Sequence, residues 1–423
     1  MEQLRLFETE NHMYVPNIGN LPYKRQRAQY LDFKETPAST GIYGIHPYPA
    51  MFHFLVVRYL IEKYSCEGDL VLDPFMGSGV AAGECLIAGR NFIGYDINPL
   101  AVLIARVRTT PIKYETLVTT VRHISQAFRF EKPEAVRFHN IDYWFDESVI
   151  EQLSQLRKTI DRLEDERLKR FFMVAFSETV RRVSRTDHNE FKLLRRKEAG
   201  TIMEVLRVFE EVSHKNIAYL TKFYNEHRPK SGELHLEEGN STVGLPPKDG
   251  SVDLVVTSPP YGDSRTTVAY GQFSRLSLRW LGLEEQVDKT SLGAKPRDLA
   301  EGLPSTLIYD LLQKIAEKDQ KRAKEVFSFY SDLYSAIRNI AQKVKKNGYV
   351  CFVVGNRTVK GLELPTDKIC ADFFEHEGFE HEKTLVRAIS SKRMPLENAP
   401  SNIKGEKKTT MLHEYIVILK KVA

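Results

Sequence analysis

With 423 residues, 42% of them hydrophobic, and a formal net charge of only +5, the chain can bury a substantial core and is long enough for two or three domains, which excludes a disordered or fibrous protein. No apolar run approaches bilayer-spanning length, and the polar start Met1-Glu2-Gln3-Leu4-Arg5 lacks a signal-peptide core, so no membrane association is expected and the expected location is the cytoplasm. Cys66, Cys85, Cys351 and Cys370 show neither CxxC nor Cys/His ligand spacing, which argues against a zinc site or a disulfide framework.

Residues 1–40 show no periodicity and carry Pro16, Pro22 and Pro37 with basic Lys24, Arg25 and Arg27, and read as an irregular arm. After His46-Pro47-Tyr48-Pro49, the spacing of Phe54, Val57, Leu60 and Ile61 predicts a helix from Ala50 to Tyr64. Gly68-Asp69 breaks it and opens a buried strand, Asp69 to Leu72, which runs into Asp73-Pro74-Phe75-Met76-Gly77-Ser78-Gly79. A helix over 81–88 stops at Gly89, and a second strand over 91–95 delivers Asp96 at its tip.

This is a βαβ unit with an acid roughly twenty positions after a glycine loop, as in domains that bind nucleoside-containing cofactors. The loop reads DxFxGxG and not GxGxxG, so it lacks the pyrophosphate-cradling glycines and suits an adenosyl ligand without phosphate. Alone, a GxG is weak and Asp96 reads as an ordinary cap or turn residue. Strand, loop, helix, strand and acid in register lift both.

From Thr110 to about Lys230 the pattern becomes helical, with apolar stripes at 150–163 and 202–212. Between Arg181 and Lys197 lie Arg181, Arg182, Arg185, Lys192, Arg195, Arg196 and Lys197 against only Asp187 and Glu190. That excess equals the net charge of the whole chain; in isolation such a run reads as a solvated face. Alternating α/β patterning resumes at Leu234-His235-Leu236, ending in Glu238-Gly239-Asn240, and the buried strand 252–256 then leads into Thr257-Ser258-Pro259-Pro260-Tyr261. A short helix over 275–281, a loop over 283–305, one helix over 307–346 and a buried strand over 348–355 follow, and two strands at 382–389 and 415–420 close the chain.

The expected fold is therefore α/β and Rossmann-like with a helical insertion: residues 1–40 an arm, 41–110 and 231–423 the domain that carries both loops, and 111–230 the insertion. Both loops would sit at carboxyl ends of strands, where open α/β sheets bind ligands.

Asp73-Pro74-Phe75-Met76-Gly77-Ser78-Gly79 together with Ser258-Pro259-Pro260-Tyr261 resembles the paired signature of S-adenosylmethionine-dependent DNA amino-methyltransferases, which modify cytosine N4 or adenine N6. His46-Pro47-Tyr48-Pro49 resembles the segment before the cofactor loop in that family, and Asp96-Ile97-Asn98-Pro99 its ribose-binding strand end. The likeness covers roughly 40–105 and 234–420 and leaves the helical block out; it implies a Rossmann-like methyltransferase fold in which 41–110 and 231–423 form the catalytic domain and 111–230 is a candidate DNA-binding or target-recognition domain. It implies that His46, Pro47, Asp73, Phe75, Gly77, Gly79 and Asn98 border the cofactor, that Asp96 takes the ribose hydroxyls, and that Asn240, where the family has Asp, accepts from the adenine amino group.

The resemblance further implies catalysis by Ser258, Pro259, Pro260 and Tyr261. An exocyclic amino group is a poor nucleophile because its lone pair is delocalised into the ring, and two acceptors on its protons favour the tetrahedral geometry that frees it. The Ser258 hydroxyl and Pro259 carbonyl would supply them, Pro260 would stiffen the loop, and Tyr261 would stack on a flipped base. Cytosine C5 methylation would need a nucleophilic cysteine in an exposed loop, and no cysteine here has that setting. Within the family, Ser-Pro-Pro-Tyr leans to cytosine N4, with adenine N6 as the alternative; the order of loops seen here is not the one most often found with Ser-Pro-Pro-Tyr. The resemblance makes Arg181, Arg182, Arg185, Arg195, Arg196 and Lys197 candidates for phosphate contact. The 283–305 loop and the tail around Lys392, Arg393 and 404–408 compete for reading the target. DNA is the expected substrate, with a restriction endonuclease as possible companion. The rivals are an RNA base methyltransferase and a non-catalytic nucleic-acid-binding protein, and the intact Gly77, Gly79, Asp96, Ser258 and Tyr261 argue against the second.

Overall fold

The computed structural model describes residues 23–187, 192–196, 204–230, 232–263, 268–389 and 412–423, with the backbone of 397–398 and 408–409. The arm contributes β1 (Arg25–Arg27), followed by α1 (Phe54–Tyr64), β2 (Leu70–Asp73), α2 (Val80–Ala88), β3 (Asn91–Asp96) and α3 (Pro99–Arg108). Four long helices come next: α4 (Tyr114–Phe128), α5 (Glu147–Asp161), α6 (Glu166–Val183) and α7 (Val205–His227). The sheet resumes with β4 (Leu234–Glu238) and β5 (Val252–Thr257), then α8 (Tyr270–Leu281), α9 (Thr306–Ala316), α10 (Gln320–Lys343), β6 (Val344–Val354), α11 (Thr366–His376), β7 (Phe379–Ala388) and β8 (His413–Lys421).

Eight strands form one sheet in the order β1-β7-β8-β6-β5-β2-β3-β4. Neighbours are parallel except at β8, which runs antiparallel to β6 and β7. From β2 the chain steps outward through β3 to β4, then returns to the other side of β2 with β5 and β6. The switch point therefore lies between β2 and β5, the two strands that carry the signature loops. Both faces are covered, so central strands read as unbroken apolar runs: Val71, Leu254 and Val256 face one core, and Leu72, Val252 and Val255 the other. The Rossmann-like α/β arrangement expected from the sequence is the one observed.

Local sequence explains the helix starts near the site. Asn98 caps α3 by accepting from Leu100 N at 3.2 Å, with Pro99 in the first turn. At Gly79, φ is +79°, and an added Cβ would stand 2.5 Å from Ala105 Cβ; glycine is required there so that the loop can press onto α3.

Helices α4–α7 have no core of their own: their buried residues are continuous with those of α1–α3 and one sheet face. Trp280 of α8 is the pivot, with Phe138, Phe145 and Phe176 edge-on to its ring. The single helix expected over 307–346 is two, because Asp319 caps a new start by accepting from Arg322 N at 2.9 Å. The arm, expected to be irregular, adds edge strand β1, and its Arg25 pairs with buried Asp367 at 2.8 Å. A three-residue strand whose partner lies some 360 positions away shows no periodicity in the sequence. No helix among the described residues is long and apolar enough to cross a membrane.

Candidate active site

The loops after β2 and β5 meet through their own side chains. Thr257, the last residue of β5, donates from Oγ1 to Asp73 Oδ1 at 2.6 Å, and the same oxygen accepts from Phe75 N at 3.2 Å. Asp96, at the tip of β3, accepts from Gly77 N and from Asn98 N, one on each oxygen and both at 2.8 Å. Each Asp96 oxygen keeps a lone pair for a ligand. Gly77, with φ of +53°, turns its amide to this carboxylate.

These residues border a cleft of about 980 Å³ including its open mouth, lined by Asp73, Phe75, Gly77, Asp96, Asn98 and Asn240 and also by Ser258 and Pro260. Among the described residues, neither acid has a cation partner. Burial is the main cause that pushes the Asp73 carboxyl up to about 7, opposed by its bonds to Thr257 and Phe75, and burial likewise pushes Asp96 up to about 6. Burial thus disfavours the ionised form of both acids, and a ligand that brings positive charge into the cleft would favour it. Among the described residues there is no cluster of three or more His, Cys, Asp or Glu side chains able to hold a metal.

Several expected cofactor residues sit elsewhere. His46 is fully buried, with Nδ1 on the Pro47 carbonyl at 2.7 Å and its ring edge-on to Phe273. Neither His46 nor Pro47 lines the cleft; Tyr48 does. Gly79 is turned to α3. Asn98 reaches the cleft wall, but its amide donates to Ser274 Oγ at 2.8 Å and Tyr48 Oη at 3.2 Å. Asn240 cannot act as expected through its carbonyl, because Oδ1 already accepts from Thr242 N at 3.0 Å and Thr242 Oγ1 at 2.8 Å. Its Nδ2 donates one N–H to the Thr290 carbonyl at 3.4 Å, which leaves the other N–H for a ligand.

Sequence reasoning missed part of the cleft wall. Met51 and Phe52 come from the turn before α1, Tyr270 from the start of α8, and Val287, Asp288 and Leu292 from the 283–305 stretch, one of the candidates for target reading. Their common signal was weak, since loop residues without a motif show their place only when the fold closes.

At the catalytic loop, Ser258 Oγ donates to Tyr261 Oη at 3.2 Å and Tyr261 Oη donates to Glu414 Oε1 at 3.1 Å. Pro259 is buried, while Pro260 and Tyr261 are half-buried. The cysteines do not compete for this chemistry: Cys85, Cys351 and Cys370 are buried, with thiols raised by desolvation, and none of the four lines the cleft.

The basic cluster is largely spent inside the protein. Arg181 is buried, stacked 4.0 Å from the centre of the Phe273 ring and donating to the Phe273 carbonyl at 3.3 Å. Arg182 pairs with buried Glu178, Arg185 with Asp146, and Arg196 donates to the Ser184 carbonyl. Arg181 is corrected from a phosphate ligand to a packing residue, while Arg182, Arg185 and Arg196 are held by partners of the same chain, the first two with 39% and 33% of the side chain still exposed; a charge run carries no sign of which partners the fold supplies. Arg195, over the exposed Tyr143 ring, and Lys192 remain at the surface. Lys197 lies outside the described residues, as do Lys392, Arg393 and 404–407.

A doubly covered, mostly parallel sheet with a cleft at its switch point, bordered by Ser258 and Pro260, is the setting in which comparison with known proteins identifies a methyltransferase of exocyclic amino groups. Residues 12–106 match the DNA methylase family of N6 and N4 enzymes. The chain is 37% identical over 429 aligned positions to the Type II methyltransferase M.MvaI of Kocuria varians, covering 93% of this chain and 94% of that protein. It is also 22% identical over 329 positions to M.BsoBI of Geobacillus stearothermophilus (65% and 62% covered) and 43% identical over 74 positions to M.MjaII of Methanocaldococcus jannaschii (18% and 14% covered). The chain belongs to the N6/N4 DNA methylase family.

Proposed function

We propose that this protein transfers a methyl group from S-adenosylmethionine to N4 of a cytosine flipped out of duplex DNA. The observation that carries the reading is that Asp96, Asp73 and Ser258 line one cleft, the two acids having no cation partner among the described residues. A cofactor bearing a sulfonium and an ammonium supplies the missing positive charge, and its methyl is already activated, so catalysis by the protein is chiefly alignment. Asp96 accepts from the ribose diol, Phe75 and Gly77 border the methionine part, and Asn240 donates to an adenine ring nitrogen. Ser258 Oγ and the Pro259 carbonyl accept the amino protons of the target base, and the Tyr261 ring stacks on it, a contact worth about 1–3 kcal/mol.

Arg195 and Lys192 are the described members of the basic cluster placed to meet phosphate. Similarity to Type II methyltransferases makes a restriction endonuclease of the same recognition sequence the expected companion. The test is Ser258→Ala: kcat on duplex DNA should fall about 100-fold or more with cofactor affinity retained, because the lost contact strengthens as the nitrogen turns tetrahedral. Full activity in that variant would refute the assignment.

A further inference from the structure

Glu414 lies on β8, the one reversed strand, so the start of β8 stands beside the carboxyl ends of the parallel strands and near the catalytic loop. Strand pairing sets Glu414 opposite Arg387 of β7. Arg387, nearly inaccessible to solvent, donates to Glu414 Oε2 at 2.7 Å. The other oxygen, Oε1, receives Tyr261 Oη at 3.1 Å, and Tyr261 in turn receives Ser258 Oγ at 3.2 Å.

An ionised carboxylate can only accept. Tyr261 has a single hydroxyl proton, and Glu414 claims it. The Tyr261 oxygen is left as an acceptor, so the Ser258 proton points to it. Both lone pairs of Ser258 Oγ then face away from that bond, and Ser258 lines the cleft. We propose that Glu414, held by Arg387, is a positioning residue that fixes Ser258 as a pure hydrogen-bond acceptor towards the amino group of the target base. This rests on the reading of Ser258 given above and adds what sets its polarity. Without the carboxylate, the Ser258 proton is free to turn into the cleft, where it opposes an amino N–H and ties up the lone pair that must be free.

Glu414→Gln tests it while preserving shape. The amide can donate to the Tyr261 oxygen, which reverses both hydroxyls. The expected result is a fall in kcat of about 10-fold or more, with cofactor affinity unchanged and DNA affinity within about 3-fold, since one hydrogen bond of ordinary strength is misdirected at the reacting nitrogen. Tyr261→Phe keeps the stacking ring and cuts the relay, so it should lower kcat by a similar factor. In that background Glu414→Gln should have almost no further effect. A merely structural carboxylate would give effects that multiply. The proposal is overturned if Tyr261→Phe leaves kcat unchanged, if Glu414→Gln does so, or if the two losses multiply in the double variant. If Ser258→Ala is itself fully active, the underlying reading falls; if it is inactive while Glu414→Gln is normal, only the relay falls.

Discussion

Two charged regions of this molecule look alike in sequence and differ in structure. In the cleft, Asp73 and Asp96 are bonded to backbone amides and one hydroxyl, with no cation near enough to hold either carboxyl down. In the helical block, Arg181, Arg182, Arg185 and Arg196 are each answered by an aromatic ring, a carboxylate or a carbonyl of the same chain. A charge run is conspicuous but is readily neutralised within a fold. A charge left uncompensated at the wall of a cavity costs stability and persists where a ligand compensates it.

The contrast can be broken most forcefully at Asp96. On the proposed reading, Asp96→Ala removes two charge-assisted hydrogen bonds to the ribose diol, and it should weaken S-adenosylmethionine binding by about 100-fold or more by titration calorimetry. The thermal midpoint should move little, because losing the Gly77 and Asn98 bonds is offset by losing a carboxylate that the fold raises to about 6.

Arg181 makes the opposite claim. Arg181→Ala should cost about 2–4 kcal/mol of stability in chemical denaturation, through lost packing on Phe273 and its carbonyl. Charge reversal of Arg181 and Arg182 should unfold the protein before it reports on DNA.

A weaker effect sharpens the comparison by pH. The folded-state values of about 7 for Asp73 and about 6 for Asp96 lie above those of an unfolded chain. Folded protein thus binds more protons than unfolded chain between about pH 4 and 7, and these two groups make the free protein less stable as pH rises through that window. A cationic cofactor favours the ionised carboxylates, so its binding near pH 6.5 should release a fraction of a proton. Calorimetry in buffers of differing ionisation enthalpy measures this, and proton uptake would contradict the assignment. The smallest effect belongs to Arg195→Ala, which should change stability by under about 0.5 kcal/mol and weaken DNA binding equally at all sequences.

Much of the site could be read in the sequence because its chemistry is local. Asp73, Phe75, Gly77 and Asp96 fall within one βαβ unit, and the β-branched run before Ser258 sets it at a strand end. What escaped depends on long-range closure. Glu414 meets Tyr261 across 153 positions, and Asp288 and Leu292 reach the cleft from a stretch that reads only as loop. His46 was misplaced because its neighbour Tyr48, not the histidine, turns towards the cleft, and periodicity has no hold on so short a segment. The arm strand β1 escaped for the same reason.

The central claim is tested most directly by the product. Duplex DNA incubated with the protein and methyl-labelled S-adenosylmethionine, digested to nucleosides and resolved by mass spectrometry, should carry the label in N4-methylcytosine. Label in N6-methyladenine would contradict the cytosine assignment while leaving the amino-group chemistry in place, and label in 5-methylcytosine would contradict the account of Ser258, Pro259 and Tyr261 altogether.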